Sequence, residues 1–108
     1  MSRRIQKVAE LLKQQLALMI IEVLPEELGI VTLTEIIVSK DIKNAQIFIS
    51  CLESSSEAKV IKILVKKAKE FQHILGRKLQ MRYTPKLEFK VDKGLGKVNR
   101  VEEILENI

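Results

Sequence analysis

The sequence predicts an α+β domain in which helices pack on one face of a three-stranded mixed sheet. Three observations support this prediction. Two long segments carry apolar residues at helical spacing,. Three short segments alternate apolar and polar residues and are rich in β-branched side chains,. One helical segment separates the second strand from the third, which favours a right-handed crossover and a parallel pair. The 108 residues, 46% of them hydrophobic, suit one domain,.

Residues 3–24 are predicted to form the first helix. Apolar residues recur there at three- and four-residue steps, which places them on one face: Ile5, Val8, Leu12, Leu16, Met19, Ile20 and Val23,. Ser2 is the predicted N-cap of this helix. Pro25 ends it and Gly29 marks the following turn,.

Two strands follow, Val31 to Val38 and Ala45 to Leu52, joined by the polar residues 39–44,. So short a link predicts an antiparallel hairpin. Ile47, Ile49 and Cys51 fall on one face of the second strand. Strict alternation places five residues on the opposite face of the sheet: Thr32, Thr34, Ile36, Phe48 and Lys90,. Because Ile36 and Phe48 are apolar, this face is expected to be only partly wet.

Ser54 to Glu57 is a helix-start signal, and a long or broken helix follows,. Its apolar positions are Val60, Ile61, Leu64, Val65, Ala68, Phe71, Leu75 and Leu79, and Gly76 interrupts the pattern near its end. Residues 83–85 break the helix, and the alternation of Leu87, Phe89 and Val91 predicts the third strand,. Residues 92–108 are predicted to form a polar loop and a flexible C-terminal tail, with a short helix closing the chain over 101–108.

Composition argues against several classes of protein. No apolar run approaches the roughly 18 residues that a membrane span needs,. The N-terminus has no secretory cleavage pattern. The single cysteine, Cys51, excludes an internal disulfide,. These features together predict a cytoplasmic protein.

The sequence contains no convincing catalytic or metal-binding constellation. His73 is the only histidine and is interpreted as structural or solvent-exposed, and Cys51 as a small buried hydrophobe,,. The adjacent pairs Glu26–Glu27 and Glu102–Glu103 point apart, so neither predicts an acid/base dyad. Gly94 to Lys97 lacks the spacing of a phosphate loop. We therefore expect no enzyme activity, no cofactor, no metal and no small-molecule substrate.

Charge is concentrated in the second half of the chain. Ten basic residues against Glu70 and Glu88 give residues 59–90 a net charge of +8, so the rest of the chain sums to −3: Lys59, Lys62, Lys66, Lys67, Lys69, Arg77, Lys78, Arg82, Lys86 and Lys90. Such asymmetry favours a polyanionic partner, although a solvated basic face would look the same,.

The lysines of the long helix form a stripe suited to phosphates. Few aromatic residues are available to stack on bases, so recognition of RNA by charge and shape is favoured over readout of single bases,. Tyr83 is the best candidate for stacking on a base. It is equally interpretable as a half-buried turn residue, and the sequence slightly favours that second interpretation.

Three stretches resemble the ribosome-binding factor A family. Val31 to Ser50 is similar to the family's strand–turn–strand with its Val-Ser-x-Asp-Leu turn. Leu75 to Phe89 is similar to Leu-Gly-Arg-x-Leu…Arg-x-x-Pro-x-Leu-x-Phe, the most specific of the three motifs. Asn99 to Leu105 is similar to the C-terminal Arg-Ile-x-x-Leu-Leu. The likeness spans essentially the whole chain.

The resemblance implies a single KH-like domain of type II over residues 1–108, with the order α-β-β-α-(kink)-α-β. It also implies a monomeric, non-enzymatic factor that binds the free small (30S) ribosomal subunit and its 16S rRNA. Late subunit maturation, 16S rRNA processing and growth at low temperature are implied as well. The residues expected to contact RNA are Lys66, Lys67, Lys69, Arg77, Lys78 and Arg82, with Arg3, Arg4 and Lys7 as a second basic cluster.

The chain departs from the family pattern where the helix is expected to kink. The family has Ala-x-Gly there, whereas Ala68, Lys69 and Glu70 contain no glycine. A second reading also remains open. The chain would then be a protein–protein adaptor that uses a sheet edge and its hydrophobic tail, namely Ile104, Leu105 and Ile108. Salt discriminates between the two, because phosphate contacts weaken steeply with ionic strength and apolar contacts do not,.

Overall fold

The structure is a computed structural model that describes residues 3–92. Two long helices and three strands make up the described part of the chain, together with single 3-10 turns at Glu26–Leu28 and Ser54–Ser56. In chain order the elements are α1 (Arg3–Val23), β1 (Val31–Val38), β2 (Asn44–Cys51), α2 (Glu57–Lys78) and β3 (Lys86–Val91).

The three strands form one sheet in the order β1-β2-β3. β1 pairs antiparallel with β2, and β2 pairs parallel with β3. The predicted α+β class and mixed sheet are therefore confirmed. The parallel pair requires the chain to cross from one end of the sheet to the other, and α2 makes that crossing,.

Both helices cover the same face of the sheet, with α1 over β1 and α2 over β3. Aliphatic side chains fill the layer between helices and sheet, because the chain has no tryptophan and few other aromatic residues. Phe71 and Phe89 meet edge to face with ring centroids 6.2 Å apart. Burial of each such ring is worth about 2 kcal/mol in transfer free energy. The deepest aliphatic positions are Leu12, Leu16, Ile20, Ala45, Ile47, Ile49, Val60, Leu64 and Leu75.

A β-bulge in β1 corrects one sequence prediction. Leu33 pairs with Ile49 and Glu35 pairs with Phe48, so Thr34 is the extra residue,. Beyond it the faces exchange, and Ile36, opposite Ile47, packs against the core instead of lying on the open face. Placing Ile36 with Thr32 was therefore wrong, because one inserted residue reverses a two-residue period.

The open face of the sheet is not uniformly wet. Phe48 lies on that face, yet only 8% of its surface is exposed. Its Cα partner on β3 is Lys90, whose ammonium group lies 3.5 Å from the Glu88 carboxylate. The expectation of a partly wet face is thus confirmed for the residues described.

Helix α2 runs without interruption from Glu57 to Lys78. The two segments expected on either side of a kink are thus one helical element, and the absence of glycine or proline at 68–70 removes the usual cause of a break,. Gly76 stays inside the helix. A Cβ there would lie 3.2 Å from the Thr84 methyl group of the following loop, so a larger residue would require Thr84 to shift by a few tenths of an ångström.

Several sequence predictions fall outside the described residues. They concern Ser2 as N-cap, the loop and tail over 93–108, the Gly94–Lys97 segment, and the pair Glu102–Glu103. Within residues 3–92, neither long helix has an apolar stretch that could cross a bilayer.

Candidate RNA-binding surface

One face of α2 carries a continuous row of basic side chains. Its members recur at three- and four-residue steps and are all exposed, opposite the buried Val60, Leu64, Phe71 and Leu75,. At 1.5 Å per residue the row extends about 27 Å along the helix. We call it the α2 basic stripe: Lys59, Lys62, Lys66, Lys69, His73 and Arg77.

The α2 basic stripe contains three of the predicted contact residues, Lys66, Lys69 and Arg77. Lys67 lies apart from it. Its side chain sits at the flank of α2, where the ammonium group is 3.2 Å from the Glu70 carboxylate. A surface pair of this kind adds little stability, but it lowers the charge that Lys67 presents to a ligand.

One member of the stripe, His73, was not predicted from the sequence as a contact residue. His73 is exposed between Lys69 and Arg77, so the predicted solvent position is correct but a contact with RNA was not considered. Its spacing, four residues from each of these neighbours, was the signal that could have found it.

A cleft of about 780 Å³ opens at the end of the sheet where β1 turns into β2, and we call it the turn-end cleft. Three separate segments form it: the start of α1, the β1–β2 turn and the α2–β3 loop. These segments bring together Arg4 and Arg82, which are 78 positions apart in sequence. The complete lining is Arg4, Val8, Asp41, Ile42, Lys43, Gln80, Met81, Arg82, Tyr83 and Thr84.

The β1–β2 turn is held by local hydrogen bonds. Asp41 Oδ1 accepts from the Ser39 hydroxyl at 2.7 Å and from the Lys43 amide at 3.0 Å. The Ser39 hydroxyl and the Lys43 amide hold the pKa of Asp41 below its ordinary value,. Ile42 has φ +60°, a left-handed conformation unusual for a β-branched residue, while its side chain packs against the core,.

Tyr83 corrects another sequence prediction, which favoured a half-buried turn residue. Its side chain is 77% exposed at the rim of the turn-end cleft. The Arg82 guanidinium carbon lies 5.5 Å from the centroid of the ring, within range of a cation–π contact,. In the loop between α2 and β3, Leu79 packs against the core and Pro85 is fully buried, whereas Tyr83 points outward.

The remaining predicted cations are also exposed. Arg3 and Lys7 line a shallow groove beside Arg4 on α1, together with Gln6 and Glu10. Lys78 occupies the last turn of α2, where a positive charge also interacts favourably with the helix dipole,. Among residues 3–92, Lys67 is the one predicted contact residue with an ion pair.

Groups with chemical reactivity are few in the described region. Cys51 packs partly against the core, and burial, followed by the charge of Glu57, raises the pKa of its thiol. A raised pKa leaves less of the nucleophilic thiolate. Residues 3–92 contain no group of three metal-binding side chains close enough to hold an ion. What the surface offers is positive charge in two adjoining regions, the α2 basic stripe and the turn-end cleft.

Comparison with known proteins places these features in a family. The family model described as ribosome-binding factor A matches residues 4–105. The chain is 39% identical over 107 residues to ribosome-binding factor A of Coxiella burnetii, covering 98% of this chain and 90% of that protein.

Solved structures give the same answer for the fold. The crystal structure of ribosome-binding factor A from Thermus thermophilus matches with a TM-score of 0.71 and 23% identity, over 81% of this chain and 94% of that one. A homology model of ribosome binding factor A from the same organism, fitted into the cryo-EM map of a 30S complex, matches with a TM-score of 0.68 and 24% identity, over 77% and 89% of the chains. The predicted KH-like fold is therefore confirmed.

Proposed function

The chain belongs to the ribosome-binding factor A family, and from this premise we propose that it binds the small ribosomal subunit through its basic surface. The proposal rests on one observation above all. Five of the nine cations that the sequence singled out lie in these two regions, Lys66, Lys69 and Arg77 on the α2 basic stripe and Arg4 and Arg82 at the turn-end cleft. A relative fitted into a 30S complex supports the same partner.

The contact chemistry is neutralisation of phosphate. Lys66 and Lys69 present ammonium groups along α2, and Arg77 adds a planar guanidinium group that can donate two parallel hydrogen bonds to one phosphate,,. The 16S rRNA is the polyanion that a small subunit offers. The proposed role, which membership in the family implies, is that of a monomeric, cytoplasmic and non-enzymatic factor in late subunit maturation and 16S rRNA processing, including at low temperature.

Charge reversal at the end of α2 tests this proposal. Arg77→Glu, Lys78→Glu and Arg82→Glu together change the net charge by −6, and we expect the triple variant to lose co-sedimentation with free small subunits. All three side chains are exposed, so circular dichroism should stay that of the wild type, while the unfolding midpoint should fall slightly because Arg77 and Lys78 no longer offset the dipole of α2,.

A matched variant separates local contacts from total charge. Lys13→Glu, Lys86→Glu and Lys90→Glu change the net charge equally, but these lysines lie on another side of α1 and on the open face of the sheet. We expect this control to retain most subunit binding. The proposed surface would be contradicted if the first variant co-sedimented as the wild type does, or if both variants lost subunit binding equally.

A protein–protein adaptor is the second candidate function, and one observation favours it. Ile21, Ile30 and Leu52 are each more than 60% exposed at the end of the molecule opposite the turn-end cleft. Ile21 and Ile30 line one shallow cleft, and the Leu52 amide donates to the Ile30 carbonyl at 2.9 Å. Binding that persists at high salt and fails in Ile21→Glu/Ile30→Glu would favour this adaptor role.

A further inference from the structure

Tyr83 is placed unusually for an aromatic side chain. An aromatic ring gains free energy from burial, yet this ring is 77% exposed in a loop,. One side of the ring faces the Arg82 guanidinium group, 5.5 Å from its centroid. Exposed aromatic rings paired with cations are the surfaces on which unpaired nucleic-acid bases stack,.

The surroundings of Tyr83 suit a phosphate group. Arg4, Lys43 and Arg82 contribute three positive charges to the turn-end cleft, against one negative charge from Asp41. The Asp41 carboxylate already accepts two hydrogen bonds within its own turn, which partly satisfy its negative charge. The net charge of the lining is therefore +2, which attracts a phosphate.

The inner wall of the cleft suits a base. Val8, Ile42 and Met81 line it with apolar atoms, while Gln80 and Thr84 add hydrogen-bonding groups. A volume of about 780 Å³ has room for a nucleotide. A duplex cannot use the site in this way, because its bases are already stacked on each other and their faces cannot reach the ring.

These contacts assign a ligand class to the cleft. Resting on the proposed function, we propose that the turn-end cleft binds one unpaired nucleotide of RNA. Its base stacks on Tyr83, and its phosphates lie against Arg4, Lys43 and Arg82. The two basic regions then differ in what they recognise. The α2 basic stripe contacts phosphates of any RNA, whereas the turn-end cleft distinguishes single-stranded RNA from duplex.

The chain carries its own probe for this site. Tyr83 is the only tyrosine and there is no tryptophan, so all tyrosine emission comes from the rim of the cleft. Hexauridylate, whose bases are unstacked, should quench this emission after correction for absorbance by the RNA. A hairpin duplex at the same phosphate concentration should bind without comparable quenching. Equal quenching by both ligands, or by neither, would overturn the proposal.

Variants separate stacking from charge. In anisotropy measurements with labelled hexauridylate, Tyr83→Ala should weaken binding about tenfold, because the base loses the aromatic ring on which it stacks. Tyr83→Phe keeps the aromatic ring and should bind as the wild type does. An abasic hexamer with the same phosphates should bind the wild type and Tyr83→Ala equally. Unchanged hexauridylate binding by Tyr83→Ala would refute the stacking role.

Co-sedimentation distinguishes this inference from the proposed function. If subunits bind the wild type but hexauridylate causes no quenching, the inference about the cleft fails alone. If the wild type fails to bind subunits, the proposed function fails, whatever the cleft binds.

Discussion

At the scale of single residues, the β1–β2 turn shows how a short polar sequence shapes the turn-end cleft. The Ser39 hydroxyl donates to Asp41, and the Asn44 amide donates back to the Ser39 oxygen at 3.0 Å. This closed set of bonds lets Ile42 adopt φ +60°, so that its side chain reaches the core while Lys43 faces the cleft. A serine and an aspartate thereby position Lys43, whose backbone amide donates to the Asp41 carboxylate.

The Asp41 carboxylate gives a prediction at this scale. Hydrogen bonds from Ser39 and the Lys43 amide favour the charged form, so its pKa should lie below the ordinary value of 3.8,. Because the folded-state pKa is the lower one, the contribution of Asp41 to stability is present above pH 3.8 and is lost as the pH falls through the folded pKa,. An NMR titration of the side-chain carboxyl carbon measures this.

Ser39→Ala is the matching variant, since it removes the largest of the causes. The pKa of Asp41 should then rise toward 3.8 while remaining slightly depressed by the Lys43 amide. A wild-type Asp41 that titrates at or above 3.8, or a Ser39→Ala pKa equal to that of the wild type, would show that the turn is not held in this way.

At the scale of secondary-structure elements, the bulge in β1 links strands that do not touch. The Thr34 hydroxyl donates to Asp92 Oδ2 at 2.8 Å, and Asp92 directly follows β3. β2 lies between β1 and β3, so this hydrogen bond bridges the two outer strands across the middle one. The extra residue therefore helps fix where β3 ends.

Thr34→Val tests this role, because it replaces the hydroxyl by a methyl group of similar size. Loss of a hydrogen bond to a carboxylate should lower the free energy of unfolding by about 1–3 kcal/mol. Urea denaturation measures the change. Thr32→Val is the control, since Thr32 is exposed on the same strand and has no side-chain hydrogen bond within residues 3–92. Equal effects in the two variants would mean that the hydroxyl bond contributes nothing.

Element positions followed from sequence because local patterns determine them. Pro25 ends α1, and β-branched alternation locates the strands to within a residue. The bulge was not predicted from the sequence, because an assumed two-residue alternation of faces takes no account of an inserted residue. Glu35 was the available signal, since strict alternation places its charge on the core face, where an unpaired carboxylate is costly. Gly76 was likewise predicted to interrupt the helical pattern. The close approach of Thr84, which accounts for a small residue there, arises only in the folded chain.

At the scale of the whole molecule, the turn-end cleft and the exposed apolar cleft beside Ile21 and Ile30 lie at opposite ends. The turn-end cleft gathers Arg4, Lys43 and Arg82, whereas Ile21 and Ile30 are exposed at the far end of α1. Helical periodicity was enough to predict the α2 basic stripe. The cleft could not be predicted, because only tertiary packing brings the start of α1 beside the α2–β3 loop. The comparisons test the fold and the family, while the contribution of each cation stays a prediction.

Salt dependence is the prediction that belongs to this scale. If the basic surface replaces counterions on RNA, the logarithm of the subunit affinity should fall linearly with the logarithm of salt concentration. Neutralising one phosphate contact, as in Arg77→Gln, should reduce the slope by about one unit. Lys90→Gln on the open sheet face should leave the slope unchanged. A slope near zero, or equal slopes in both variants, would argue for apolar binding.

The bulge at Thr34 also affects how the molecule behaves toward its own copies. β1 is an outer strand, so one row of its amide and carbonyl groups has no neighbouring strand,. The bulge twists that row, and the Lys13 ammonium group donates to the Thr34 carbonyl at 3.3 Å,. A second chain therefore meets a twisted and partly covered border, which disfavours extension of the sheet from one copy to the next. Deletion of Thr34 would straighten the outer edge of β1 and favour fibril-like stacking of copies along it.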